Sequence, residues 1–227
     1  MSDEVKRPVL EVSISPHASL PKGFKNKEFE DEADFVLRLF LAFMPKEYPL
    51  DGSEKLSIHF GQCGDEGRYV RDGNVSSCFA EKFDFAAYKK AKDNEKLEQL
   101  LEGIASIIDR VAHAFRGDRR AIKEASKKVR NGEFQATVEE PELKLDSPEG
   151  VIIKLEVLRS VSRKGEDWEL QIRGEKGKVI SKEPIARDVA PGEGRKKFAT
   201  SKWDGFNFVL MDLKGKSSYT YKTPPPA

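Results

Sequence analysis

Arg116, Arg119, Arg120, Lys123, Lys127 and Arg130 recur mostly at steps of three and four. That spacing places them on one side of an α-helix. Aligned cations raise the local potential, and such a face suits a phosphate group or an acidic partner protein. A solvated helix face gives the same pattern, helped by the preference of cations for a helix C-terminus. No aromatic residue interleaves with the stripe, so stacking of single-stranded bases has no platform there.

Other residues suggest bond chemistry. His59 and Cys63 flank the end of an apolar segment, and an imidazole beside a thiol lowers the thiol pKa, as in a cysteine hydrolase. His59, Cys63, Cys78 and His113 are the residue types that bind zinc, but they lack the close paired spacing of a metal motif. Asp65 and Glu66, in a Gly-rich loop, are candidates for acid–base work. Gly192-Glu193-Gly194 resembles a phosphate cradle only superficially: it lacks the strand before and the helix after that such a loop needs. It reads as a mobile inter-strand loop. Trp168, Trp203 and Phe206 suit either an interface or a core. No catalytic, cofactor or metal residue is assigned. The basic stripe is the candidate partner-binding site.

These residues hang on a strong central element. Leu97, Leu100, Leu101, Ile104, Ile108, Val111 and Phe115 fall on one face of a helix spanning Asn94 to Phe115, with Asp93 as its expected N-cap and Gly103 as its weak point. A second helix, Arg119 to Arg130, is capped by Asp118, buries Ile122, Ala125 and Val129, and stops at Asn131-Gly132 in a left-handed turn.

Upstream, residues 8–15 read as a strand, followed by a loop over 17–33. Phe35 to Met44 is ambiguous: its odd positions suit a strand, a helical reading is nearly as good, and Pro45 and Pro49 favour strand by limiting its length. Leu56 to Phe60 is a strand. A hairpin with turns at Gly64, Gly67 and Gly73 follows, and Asp84 caps a short helix from Phe85. Downstream the chain is β: 134–139, 142–146, a longest strand over Val151–Val161, then 167–173, 178–185, 206–213 and 217–222. Leu155 and Val157 share a face that extends to Arg159, and Trp168, Leu170 and Ile172 alternate. Turns every eight to twelve residues suit an antiparallel meander. The fold class is α+β, with an N-terminal β portion, central amphipathic helices and a C-terminal meander laid on them. The strand–helix alternation of a parallel nucleotide-binding sheet is not seen. One domain over 1–227 is expected, softly divided into 1–132, 133–222 and a disordered end, 223–227.

Composition bounds the rest. The chain has 227 residues, 35% of them charged, and a net charge of +1, so no overall field draws in nucleic acid or an acidic membrane. Acidic residues dominate through Phe115 and basic ones beyond it. Two cysteines are too few for a disulfide framework. The first residues lack the apolar core of a signal peptide, and Phe35 to Met44 is too short to span a bilayer. A soluble, cytosolic protein is expected, with no cofactor.

Phe83 to Ala112, FDFAAYKKAKDNEKLEQLLEGIASIIDRVA, resembles a segment of small bacterial proteins grouped with polymorphic-toxin immunity proteins. In those, a strand ending in an F-D-F-like motif precedes a "D-x-E-K…L" helix and an antiparallel meander. The resemblance covers about thirty residues. It implies a non-enzymatic protein that binds and occludes one cognate toxin, and it carries over no catalytic residue. A thiol or acid–base hydrolase using Cys63 and His59 is the alternative, and nucleic-acid binding through the basic face is the second.

Overall fold

The computed structural model describes residues 11–16, 24, 26–45, 48, 50–61, 69–80, 82–145, 148, 153–174, 176–190 and 193–223. Cys63, Asp65, Glu66, Gly64, Gly67, Gly192 and the terminal prolines therefore lie outside the described residues. The fold is α+β. It divides into two compact units, Met1–Phe134 and Gln135–Ala227.

The first unit is built on a four-stranded sheet. Its strands are β1 (Glu11–Pro16), β2 (Lys55–Phe60), β3 (Tyr69–Asp72) and β4 (Val75–Ala80), in the order β1-β2-β4-β3. β2 is parallel to both β1 and β4, whereas β3 and β4 form the expected hairpin turning at Gly73. Four helices accompany the sheet: α1 (Asn26–Phe43), α2 (Phe85–Lys90), α3 (Asp93–Ala114) and α4 (Arg119–Asn131). α1 and α3 lie against strands, and α4 packs on α1 and α3.

Phe35 to Met44 is not a strand. Residues 35–43 are the second half of α1, and its first half takes in the end of the expected loop. Phe35, Val36, Leu37, Leu39 and Phe40 are all buried, because α1 packs against β1 as well as α3 and α4. A helix covered on several sides is apolar at odd and even positions alike, so neither period stands out. Two i,i+4 ion pairs run along α1, Lys27–Asp31 in its first turns and Asp34–Arg38 beyond them. Correcting α1 also reveals a parallel β1–α1–β2 unit, which the sequence reading denied.

α3 runs as expected, with Leu97, Leu100, Leu101, Ile104, Ile108 and Val111 buried. It begins one residue earlier, however, so that Asp93 is already helical. The Lys92 N–H is satisfied by the Glu95 carboxylate at 2.9 Å. Gly103 is no weak point. A Cβ there would lie 2.6 Å from the Phe60 ring, so its bare backbone is what lets α3 sit down on β2. The F-D-F motif divides its labour: Asp84 Oδ1 accepts the Ala86 and Ala87 N–H groups at 2.9 Å, while Phe83 and Phe85 join Phe29 and Phe60 in an edge-to-face aromatic cluster.

The second unit is almost wholly β. β5 (Ala136–Glu139), β6 (Lys154–Ser162), β7 (Gly165–Arg173) and β8 (Val179–Val189) form an antiparallel meander in sequence order. Of the expected 142–146 strand, residues 142 and 143 belong to a 3-10 turn, Pro141–Leu143, 144 and 145 are in no strand, and 146 lies outside the described residues; β8, with 11 residues, is longer than β6. After the short helix α5 (Glu193–Lys197) come β9 (Thr200–Asp204), β10 (Asn207–Met211) and β11 (Ser217–Lys222), a second, three-stranded sheet. Leu155, Val157, Trp168, Leu170 and Ile172 of the meander bury against Phe198, Phe208 and Leu210. The meander's apolar face is thus closed by residues of its own unit.

Candidate functional site

α4 owes its shape to a clean division of faces. Asp118 Oδ1 accepts the Arg120 N–H at 2.9 Å, capping the first turn. Ile122, Ala125, Ser126 and Val129 face inward, and the Ser126 hydroxyl donates to Ile122 O at 3.0 Å. The opposite face carries Arg119, Arg120, Lys123, Lys127 and Arg130, all exposed.

The structure sorts these cations into two sets. Arg119 and Arg130 tie α4 to α3. Arg119 grips Asp109 with both nitrogens, Nε to Oδ1 at 2.7 Å and the terminal nitrogen to Oδ2 at 2.5 Å. Arg130 Nε donates to Glu98 Oε1 at 2.6 Å, and its terminal nitrogen reaches the same oxygen. The Arg119 hydrogen bond, above all, holds the Asp109 carboxyl below the usual carboxylate range. The other set is outward and available. Lys123 and Lys127 make no ion pair among the described residues, and the Arg120 side chain is 92% exposed, with its carboxylate neighbour Asp118 at 3.5 Å. Lys128, beside the stripe, lies over the Phe43 ring at 5.8 Å.

Arg116 is not on α4, where the wheel had placed it. It ends α3, in the left-handed region at φ 57°. The Gly117 N–H donates to Ala112 O at 2.7 Å and the Arg116 N–H to His113 O at 3.4 Å, the paired bonds of a Schellman stop. Gly117 is packed so closely that a Cβ would lie 3.2 Å from the Tyr48 hydroxyl. That hydroxyl donates to Asp118 O at 2.8 Å. Burial, then the charges of Asp118 and Asp109, push its pKa up to about 12, so it stays a donor throughout the physiological range. The α3–α4 corner is firmly held, and it faces Arg116 outward. α4 ends in the same way but not at the expected residue: Gly132 has φ −85°, and the left-handed residues are Glu133 and Phe134.

The residues considered for bond chemistry are not brought together. Cys63 lies outside the described residues. Cys78 faces the helices beside Ile58, whereas His59, the next residue along β2, points to the opposite side of the sheet and stacks on Phe79 at 4.9 Å. Burial, opposed by Arg110 and aided by Asp51, drives the Cys78 thiol up to about 12, far from a nucleophilic thiolate at neutral pH. His113 is exposed near the end of α3. Gly194 belongs to α5 rather than to a mobile loop: a Cβ on it would lie 2.2 Å from the indole nitrogen of Trp168. Trp168 is fully buried, Trp203 packs at the edge of the same core, and Phe206 is exposed.

Sequence reading missed two buried polar clusters. In the second unit Arg159 donates through Nε to Glu140 Oε1 at 2.6 Å and through a terminal nitrogen to Glu166 Oε1 at 3.1 Å. Trp168 donates to the other Glu166 oxygen at 3.3 Å. All four residues are buried. A signal existed: the turn at Gly165 sets Arg159 opposite Trp168 and Val161 opposite Glu166, so Glu166 shares the inward face. In the first unit Asp51 accepts from the Ser53 N–H (3.0 Å), the Ser53 hydroxyl (2.6 Å) and the Tyr69 hydroxyl (3.0 Å). Burial works to raise its pKa, but hydrogen bonds from Ser53, Ser76 and Tyr69 outweigh it and hold the carboxyl low. Both clusters satisfy themselves internally. A groove of about 510 Å³ runs between the end of β4 and α3, with Phe83, Ala87 and Ile107 on its floor and Lys82, Glu102 and Arg110 at its rim.

No family model, curated protein or solved structure matches the chain. Among the described residues no helix is long and apolar enough to cross a membrane.

Proposed function

We propose that this chain is a protein-binding module that docks an acidic surface of a partner onto the outward face of α4 and acts by covering it. The carrying observation is the sorting of cations on that face. Arg119 and Arg130 are consumed in fixing α4 to α3, while Lys123 and Lys127 make no ion pair among the described residues and Arg120, 3.5 Å from Asp118, stays almost fully exposed. A rigid element with surplus positive charge steers an acidic partner and selects it by complementarity, chiefly through the rate of encounter. Further support comes from the groups that might have done chemistry: Asp51, Glu140 and Glu166 are engaged internally, and the Cys78 thiol is held protonated. Neutralisation of a cognate toxin in the bacterial cytosol is the specific form implied by the immunity-protein resemblance.

Capture of partners by the tagged chain, followed by mass determination of the complex, tests this reading. A complex near 1:1 is expected, lost on Lys123→Glu/Lys127→Glu double reversal and weakened by salt. A stoichiometric complex indifferent to that reversal would move the interface off α4 and sink the proposal.

A further inference from the structure

Two departures from helical preference meet at the α3–α4 corner, and both expose a guanidinium. Arg116 occupies a left-handed position at φ 57°, where a Cβ is disfavoured and glycine is the usual choice. The neighbouring glycine, Gly117, is committed to the close approach of Tyr48 and Ala112. Arg119 and Arg120 begin α4, whose first turn has no acidic residue, although the helix dipole disfavours cations there. Arg119 is compensated by Asp109; Arg120 is almost fully exposed, and its Nε lies 3.5 Å from the half-exposed carboxylate of the N-cap Asp118. Arg116 makes no ion pair among the described residues. Neither Arg116 nor Arg120 is explained by packing.

Resting on the protein-binding reading above, we infer that Arg116 and Arg120 are the specificity element of that surface: a pair of guanidiniums that receives carboxylates of an acidic partner protein. Guanidinium is suited to this role because its planar fork bonds a carboxylate through two parallel hydrogen bonds, which lysine cannot reproduce. The Tyr48–Asp118 hydrogen bond and the Arg119–Asp109 pair hold the corner still, so little order is lost on docking. A carboxylate partner is favoured over nucleic acid because the outward cations are few and lack stacking aromatics, whereas a phosphate track needs many contacts along a strand.

The full chain is compared with Arg116→Gly, Arg116→Lys and the Lys123→Glu/Lys127→Glu double variant. Melting temperature is measured, together with binding to labelled poly-L-glutamate and to a DNA duplex at low salt. Arg116→Gly is expected to melt at the wild-type temperature or higher, because the left-handed position is relieved, yet to bind poly-L-glutamate about five- to ten-fold more weakly, as for loss of one charge-assisted contact. Arg116→Lys is expected to keep its melting temperature and lose part of the affinity. Wild-type affinity in Arg116→Gly, or a lower melting temperature, overturns the inference. If Arg116→Gly binds normally while the double variant does not, only this inference fails. If the double variant also binds normally, or the wild type does not bind poly-L-glutamate, the docking reading fails with it. Tighter binding to the duplex, weakened by Arg116→Gly, overturns the choice of an acidic protein.

Discussion

Arg159 and Arg120 are the same residue put to opposite use. In the second unit Arg159 is sealed among Glu140, Glu166 and Trp168, and each carboxylate that faces it is engaged. In the first unit Arg120 is 92% exposed in the first turn of α4, with the half-exposed N-cap Asp118 at 3.5 Å as its ion-pair partner. A buried charge is tolerable only with its partners in place, so its neighbourhood is fixed by folding. An exposed charge carries no such obligation, and when it also goes against local preference the fold does not explain it. The contrast separates charge that builds the molecule from charge that is offered outward.

The most severe way to probe that contrast is Arg159→Leu. It leaves buried Glu140 with the longer Arg195 contact at 3.4 Å and buried Glu166 with the Trp168 N–H and no cation among the described residues, and a loss of about 3 kcal/mol is expected in urea denaturation. A loss near zero would mean that the cluster is not locked by its charges, and the distinction would collapse. Gly194→Ala tests the seal beside it. The added methyl meets the Trp168 indole, and overpacking of this kind destabilises by about 1–3 kcal/mol.

Glu133→Gly sharpens the other side. Glu133 shares with Arg116 a left-handed position after a helix, at φ 50°, but is acidic and ill suited to an acidic partner. A gain of up to about 1 kcal/mol is expected from relief of the backbone, with poly-L-glutamate binding not weakened. Weakened binding would show that strain at helix ends, not the guanidinium, controls docking. The smallest effect is on pH dependence. Asp109 has a folded pKa below its unfolded value of about 3.9. Its stabilisation is therefore complete above that value and lost as pH falls through the folded pKa. Acid titration of Asp109→Asn should show a shallower decline than wild type; an equal slope would mean that the Arg119 pair contributes nothing.

Much of the fold was legible where one face is buried and the other wet. The α3 stripe, the caps Asp84 and Asp118, and the alternation of Trp168, Leu170 and Ile172 all follow from that asymmetry. α1 was misread because Phe35, Val36, Leu37, Leu39 and Phe40 are buried on several sides, which erases the period. β9 was missed because its residues alternate between exposed and half-buried, not between exposed and buried. Of the candidate site, the cations were visible in the chain, but their sorting was not: Asp109 and Glu98 lie 10 and 32 residues from the arginines they bind. The left-handed stop of α4 is misplaced when Gly132 is read as its marker: Gly132 has an ordinary φ, and Glu133 and Phe134 take the left-handed positions.

Both tryptophans of the chain, Trp168 and Trp203, belong to the second unit, whereas among the described residues every helix longer than α5 belongs to the first. Indole fluorescence therefore reports one half of the molecule and the far-ultraviolet helical signal the other. The protein carries a separate optical gauge for each half, and superposition or divergence of the two unfolding curves reveals whether the halves come apart together.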